Sequence, residues 1–131
     1  MTKDEFSLEA LENALKILKK AFELPSLDEL QRDGAIQRFE YTVELSWKMM
    51  RKYLLLAGMN DIGTSPKNII REAFADGLIS DARVWLDFIE KRNLASHIYN
   101  QTQANDIFNV AKTLPPFVDE LIHNIQSKLK K

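Results

Sequence analysis

The spacing of the apolar residues constrains this chain more than any other feature. Leu8, Leu11, Leu15, Leu18 and Phe22 follow one another at intervals of three and four, and so do Ile36, Phe39, Val43, Trp47, Met50 and Leu54. A third series runs through Ile107, Val110, Leu114, Phe117, Leu121, Ile125 and Leu129. At about 100° per residue such a series stays on one side of an α-helix, whereas on a strand it would scatter over both faces. The residue types agree. There are 17 Leu and 11 Ala against 4 Val, and 4 Gly and 4 Pro are too few turn formers for a many-stranded sheet.

Helix punctuation divides the chain further. Thr2 and Glu5 have the spacing of a capping box for a first helix that closes near Glu23, before Pro25. Ser26 or Asp28 can cap a second helix that runs through Gly34 and stops at Gly58. Ser65-Pro66 starts a short third helix ended by Gly77, and Ser80 is placed to cap a fourth bearing Trp85, Phe88 and Ile89. The last helix begins between Thr102 and Asn105, and Pro115-Pro116 should kink or interrupt it because neither residue has a backbone donor. The pattern predicts an all-α, up-and-down four-helix bundle with one additional short helix and a kinked last helix. With 131 residues and no repeat or linker-like tract, residues 1–131 read as a single domain.

Charge and cysteine content exclude several function classes. Lys+Arg number 18 and Asp+Glu 19, a net charge of −1, which is the wrong balance for a protein that grips nucleic acid through its overall field. Any such contact has to be local, through Arg92 and nearby Lys48, Arg71 or Lys91; the terminal KLKK reads as a frayed helix end. With no Cys, neither a disulfide framework nor a Cys-ligated metal is available. No stretch approaches the roughly 20 apolar residues of a membrane span, and the charged N-terminus is unlike a signal peptide, so a cytoplasmic protein is expected. Gly58-x4-Gly63 has phosphate-loop spacing, but Thr64 stands where a Lys is required and a helix precedes it. No nucleophile elbow, no His pair at i,i+4 and no Asp cluster is present, which leaves a site without metal or cofactor.

Two charges interrupt the stripes. Glu40 falls about 20° from Trp47 and 40° from Ile36 on the second helix, so it needs either a partner or a route to solvent. Arg92 lies about 20° from Trp85, within the stripe of Phe88, Ile89, Ser96 and Tyr99. A pair between Arg92 and Glu40 is therefore expected, and Glu44 with Lys48 reads as an ordinary i,i+4 pair. His97, five residues after Arg92, lies about 140° around an unbroken helix. The two converge only if the helix ends near Asn93 to Ser96 or a second subunit completes the site. His123, four residues after Asp119, reads as a surface helix pair.

Three blocks, IQRFEYTVELSWK (36–48), SPKNIIREAF (65–74) and VWLDFIEKRNLASHIY (84–99), closely resemble the nucleotidyltransferase substrate-binding protein family, a branch of the HEPN superfamily of helical bundles. Arg92-Asn93-x3-His97-x-Tyr99 is similar to the Arg-x4-His-x-Tyr signature of its toxin-like members, although Asn100 follows the tyrosine where an acidic residue is common. The resemblance implies a homodimer partnered by a minimal nucleotidyltransferase encoded next door. It also implies one of two activities. In the first, the chain is a metal-independent endoribonuclease. His97 acts as general base or acid, Arg92 holds the scissile phosphate, Asn93 and Glu40 support them, and adenylylation of Tyr99 by the partner silences the site. In the second, it is a non-catalytic subunit that binds nucleotide or another substrate, with Glu44, Trp47, Lys48 and Trp85 as further binding residues. A purely structural ion pair between helices is a third reading of the charges.

Overall fold

A computed structural model of the chain describes residues 2–130, and among these there is no strand. After a single 3-10 turn at Lys3–Glu5 come α1 (Glu9–Phe22), α2 (Glu29–Leu56), α3 (Pro66–Asp76), α4 (Ala82–Ala95), α5 (Gln101–Ala111) and α6 (Leu114–Leu129). The long members α1, α2, α4 and the bent pair α5–α6 make the bundle, and α3 is the short extra helix between α2 and α4. None of these helices is long and apolar enough to cross a membrane.

α2 is the axis of the molecule, packing against each of the other five helices. Its stripe at intervals of three and four, Ile36, Phe39, Val43, Met50 and Leu54, is buried, and Ala35, Thr42, Ser46 and Met49 beside it are buried as well, so more than one face of α2 is covered. Phe88 on α4 joins three elements, meeting Phe39 of α2 at 6.3 Å, Trp85 of its own helix at 5.4 Å and Phe117 of α6 at 5.7 Å, all edge-to-face. Such pairs contribute about 0.5–1.5 kcal/mol beyond the area they bury.

The helix ends follow the expected stops more closely than the expected starts. Gly58 and Gly77 adopt φ of 99° and 84°, conformations that cost a side-chain-bearing residue energy. Both permit the same closing hydrogen bonds, Met59 N–H to the Leu54 carbonyl at 3.0 Å and Leu78 N–H to the Ala73 carbonyl at 2.9 Å. Pro115 and Pro116 interrupt the last helix by opening a new one. They sit in the first turn of α6, where a missing N–H leaves no bond unmade, and Lys112-Thr113 forms the bend.

At the starts, Thr2 makes no side-chain cap, and α1 begins only at Glu9, whose N–H is met by Ser7 Oγ at 3.2 Å. Asp28, not Ser26, caps α2 through a reciprocal box with Gln31. Asp81 replaces Ser80 as the cap of α4, because both the N–H and the hydroxyl of Ser80 donate to the Glu120 carboxylate on α6, at 2.9 and 2.7 Å. Asp119 pairs with Lys19 of α1 at 2.9 Å and not with His123.

Candidate functional site

The site region is built where α4 crosses α2. Arg92, in the last turn of α4, reaches α2 with its side chain about one-third exposed. Its partner is Glu44 and not Glu40: Arg92 Nη2 lies 3.1 Å from Glu44 Oε2, while Nη1 donates to Asn93 Oδ1 at 3.2 Å. The Nε–H is enclosed without a hydrogen-bond partner, as is the indole N–H of Trp85. The expected Glu44–Lys48 pair forms too, at 3.4 Å, and Trp47 Nε1 donates to Glu44 Oε2 at 3.0 Å. One carboxylate thus gathers Arg92, Lys48 and the Trp47 indole.

The two glutamates respond in opposite directions. Burial pushes the Glu44 carboxyl up, but the Trp47 hydrogen bond, the Arg92 charge and the Lys48 ammonium together outweigh it and hold the group below the usual carboxylate range. Glu40, one turn away, is pushed above its ordinary value by burial, which the Arg92 charge offsets only in part. A carboxyl with a raised folded pKa binds protons more readily folded than unfolded. Its effect on stability therefore worsens as pH rises from the ordinary carboxylate range through the raised value. Glu40→Gln is expected to remove that decline and to raise the melting temperature at neutral pH. Melting curves of wild type and variant between pH 4 and 8 check this, and parallel pH dependences would refute it.

The signature residues separate at the end of α4. The helix stops at Ala95, within the expected window, and Ser96-His97 forms a turn closed by the His97 N–H on the Leu94 carbonyl at 2.8 Å. The turn places His97 beside α5. Its exposed imidazole lines a hollow of about 170 Å³ with Lys91, Leu94, Gln103, Asp106 and Ile107. Among the described residues no hydrogen bond or ion pair joins His97 to Arg92. Asn100 caps α5 by accepting from Gln103 N–H at 2.9 Å, and Gln103 Oε1 accepts from Tyr99 N–H at 2.7 Å. The backbone at Tyr99 is thereby held while the residue as a whole is 81% exposed.

Of the further candidates, Trp47 is buried but for a small part of its surface, and Trp85 has no accessible surface. Trp85 is a core residue and offers no face for stacking. Lys91 is engaged by Asp87 at 3.3 Å. Among the described residues no group of three His, Asp or Glu side chains is placed to hold a metal ion. The Glu44–Arg92 pair was missed in the sequence because Glu44 already had a neighbour in Lys48. The usable signal was Trp47, an indole donor three residues on, which makes Glu44 a gathering point.

Solved structures share this arrangement of helices. A Haemophilus influenzae protein, described as revealing the fold of a substrate binding domain of a nucleotidyltransferase, matches with a TM-score of 0.82 at 30% identity over 92% of this chain and 99% of that one. A Thermus thermophilus protein matches with a TM-score of 0.73 at 36% identity, with the same coverage of both chains. The chain belongs to the family described as nucleotidyltransferase substrate binding protein like, whose model matches residues 6–130. A curated relative from Haemophilus influenzae, named probable ribonuclease HepT, is 44% identical over 78 residues. That match covers 57% of this chain and about half, 53%, of the relative.

Proposed function

We propose that the chain is the helical partner of a minimal nucleotidyltransferase and, when unmodified, a cytoplasmic endoribonuclease that acts as a homodimer. The observation that carries the reading is the state of the signature: a cation held ready on α4, an unencumbered imidazole beyond the helix end, and a fixed, solvent-facing tyrosine two residues later. Arg92 binds the scissile phosphate and stabilises the charge that develops on it. His97 takes the proton of the ribose 2′-OH as that oxygen bonds to phosphorus, and the bond to the 5′ oxygen breaks. The departing oxygen then takes up a proton, for which imidazolium is a suitable donor near neutral pH. Because Arg92 turns to α2 and His97 to α5, a second copy supplies the complementary half of each site. Adenylylation of the Tyr99 hydroxyl by the partner adds bulk and negative charge where an RNA phosphate must enter, which accounts for silencing.

The test is to express the chain alone and beside its nucleotidyltransferase, following growth, RNA integrity and intact mass. The expected result is growth arrest and RNA cleavage by the chain alone, both relieved by the partner together with a mass gain of one AMP that Tyr99→Phe abolishes. A chain that neither slows growth nor cleaves RNA, yet binds nucleotide tightly, would overturn this reading in favour of a binding subunit.

A further inference from the structure

A cleft of about 720 Å³ opens between the start of α1, the second half of α2 and the Gly63–Thr64 segment. That is the size range of small-molecule and cofactor sites. Its walls divide by chemistry. Ala10, Leu45, Trp47 and Met49 supply its apolar lining, and Lys48, Arg51 and Lys52 its cationic lining, with one acid, Glu9. In a chain of net charge −1, three cations around one apolar hollow are a local excess that draws anions. The wall is anchored as well: Arg51 Nε donates to the Gly63 carbonyl at 2.6 Å, tying the segment after α2 back onto the helix. Arg51 and Lys48 are each engaged by the protein, so Lys52, exposed and outside every ion pair among the described residues, is the cation most available to a ligand.

We infer that this cleft is a nucleoside-phosphate subsite, with a base laid on the apolar lining beside Trp47 and a phosphate at the Lys52 edge. Its occupant is the RNA nucleotide that flanks the scissile phosphate. The link is Trp47, which lines the cleft while its Nε1 donates to Glu44, the carboxylate that holds Arg92. A base in the cleft is thus one side chain removed from the group that holds Arg92. The choice of RNA as source rests on the ribonuclease reading above; the affinity for a nucleoside phosphate does not.

The experiment titrates the full-length protein with a 2′-O-methyl RNA oligomer, which lacks the attacking hydroxyl, and separately with AMP. Wild type is compared with Lys52→Glu, with Lys52→Ser, and with Lys20→Glu as a charge-matched control on α1. Expected is a loss of oligomer affinity of about tenfold for Lys52→Glu and less for Lys52→Ser, with the salt slope reduced by about one. Lys20→Glu should match wild type, and melting temperatures should be equal throughout. AMP binding lost with oligomer binding unchanged would keep the subsite and overturn RNA as its source. Variants that bind both ligands like wild type, or a wild type that binds neither, would overturn the subsite. RNA cleavage separates the two ideas: Lys52-dependent binding by a protein that cleaves nothing leaves the subsite standing without the ribonuclease, and unimpaired cleavage and binding by Lys52→Glu does the reverse.

Discussion

His97→Ala is expected to abolish growth arrest and to slow RNA cleavage by a factor of roughly 10²–10⁴, the usual worth of a positioned general acid or base. It should do so without disturbing the fold. His97 is exposed, lies beyond the end of α4, and its imidazole makes no hydrogen bond or ion pair among the described residues. Substitutions at such positions usually change stability by less than about 0.5 kcal/mol. Arg92→Ala should lose a comparable amount of activity, and Glu44 keeps Trp47 and Lys48 as partners when the guanidinium is gone. The divergence of the two side chains within one protomer adds a sharper test. If each site draws Arg92 from one copy and His97 from the other, mixing the two inactive variants restores one intact site in every mixed dimer. With random pairing that returns about a quarter of wild-type activity. No recovery in demonstrably mixed dimers would place the whole site within a single chain, and unimpaired cleavage by His97→Ala would remove the imidazole from the mechanism.

Phe88→Ala is expected to carry the largest stability loss of any single core truncation in α4 outside Trp85. The ring is about 1% exposed and touches aromatic partners on α2 and α6 as well as Trp85. Removing it deletes the side chain's transfer energy, leaves a cavity bounded by rigid rings that close poorly, and breaks three edge-to-face contacts at once. Such truncations cost about 3–5 kcal/mol. For a domain of this size that lowers the melting temperature by roughly 10–20 °C. Leu30→Ala, at a position 81% exposed, is the matched control and should change it little. Thermal unfolding followed by circular dichroism reads both, and a loss under about 1 kcal/mol at Phe88 would show that the three rings do not act as one packing unit.

The helices were legible because each stripe repeats for several turns, so one misplaced residue does not erase the signal. The caps were less so, since a start depends on competition among neighbours. Thr2 and Glu5 had the right spacing, yet the chain makes only a 3-10 turn there. Ser80 lost its place to Asp81 because Glu120, forty residues away, claims both its donors. The site was legible to the same depth. Angular arithmetic put Arg92 on the face toward α2 and bounded the end of α4 correctly. It pointed to Glu40 where the partner is Glu44, a residue about 40° further around the axis and 6 Å along it. That choice depends on how far α4 slides along α2, which the intervening α3 sets through its own packing on both helices. The 720 Å³ cleft was invisible for a related reason: it forms where the start of α1 meets the second half of α2, and Arg51, one of its lining residues, is held by a backbone carbonyl at Gly63, which no side-chain pattern records.

The central position of α2 has a consequence for how the chain is made. α1 and α2 are adjacent in sequence and pack together extensively, so this helical hairpin can form early on the ribosome. The partners that complete the cover of α2 include α5 and α6, which begin only at Gln101 and Leu114. During the interval the unfinished chain presents Phe39 and its neighbours as an open apolar surface, the kind of feature that chaperones hold. Because α5 and α6 close the core, a chain that stops short of Gln101 is expected to expose this surface instead of forming a smaller bundle.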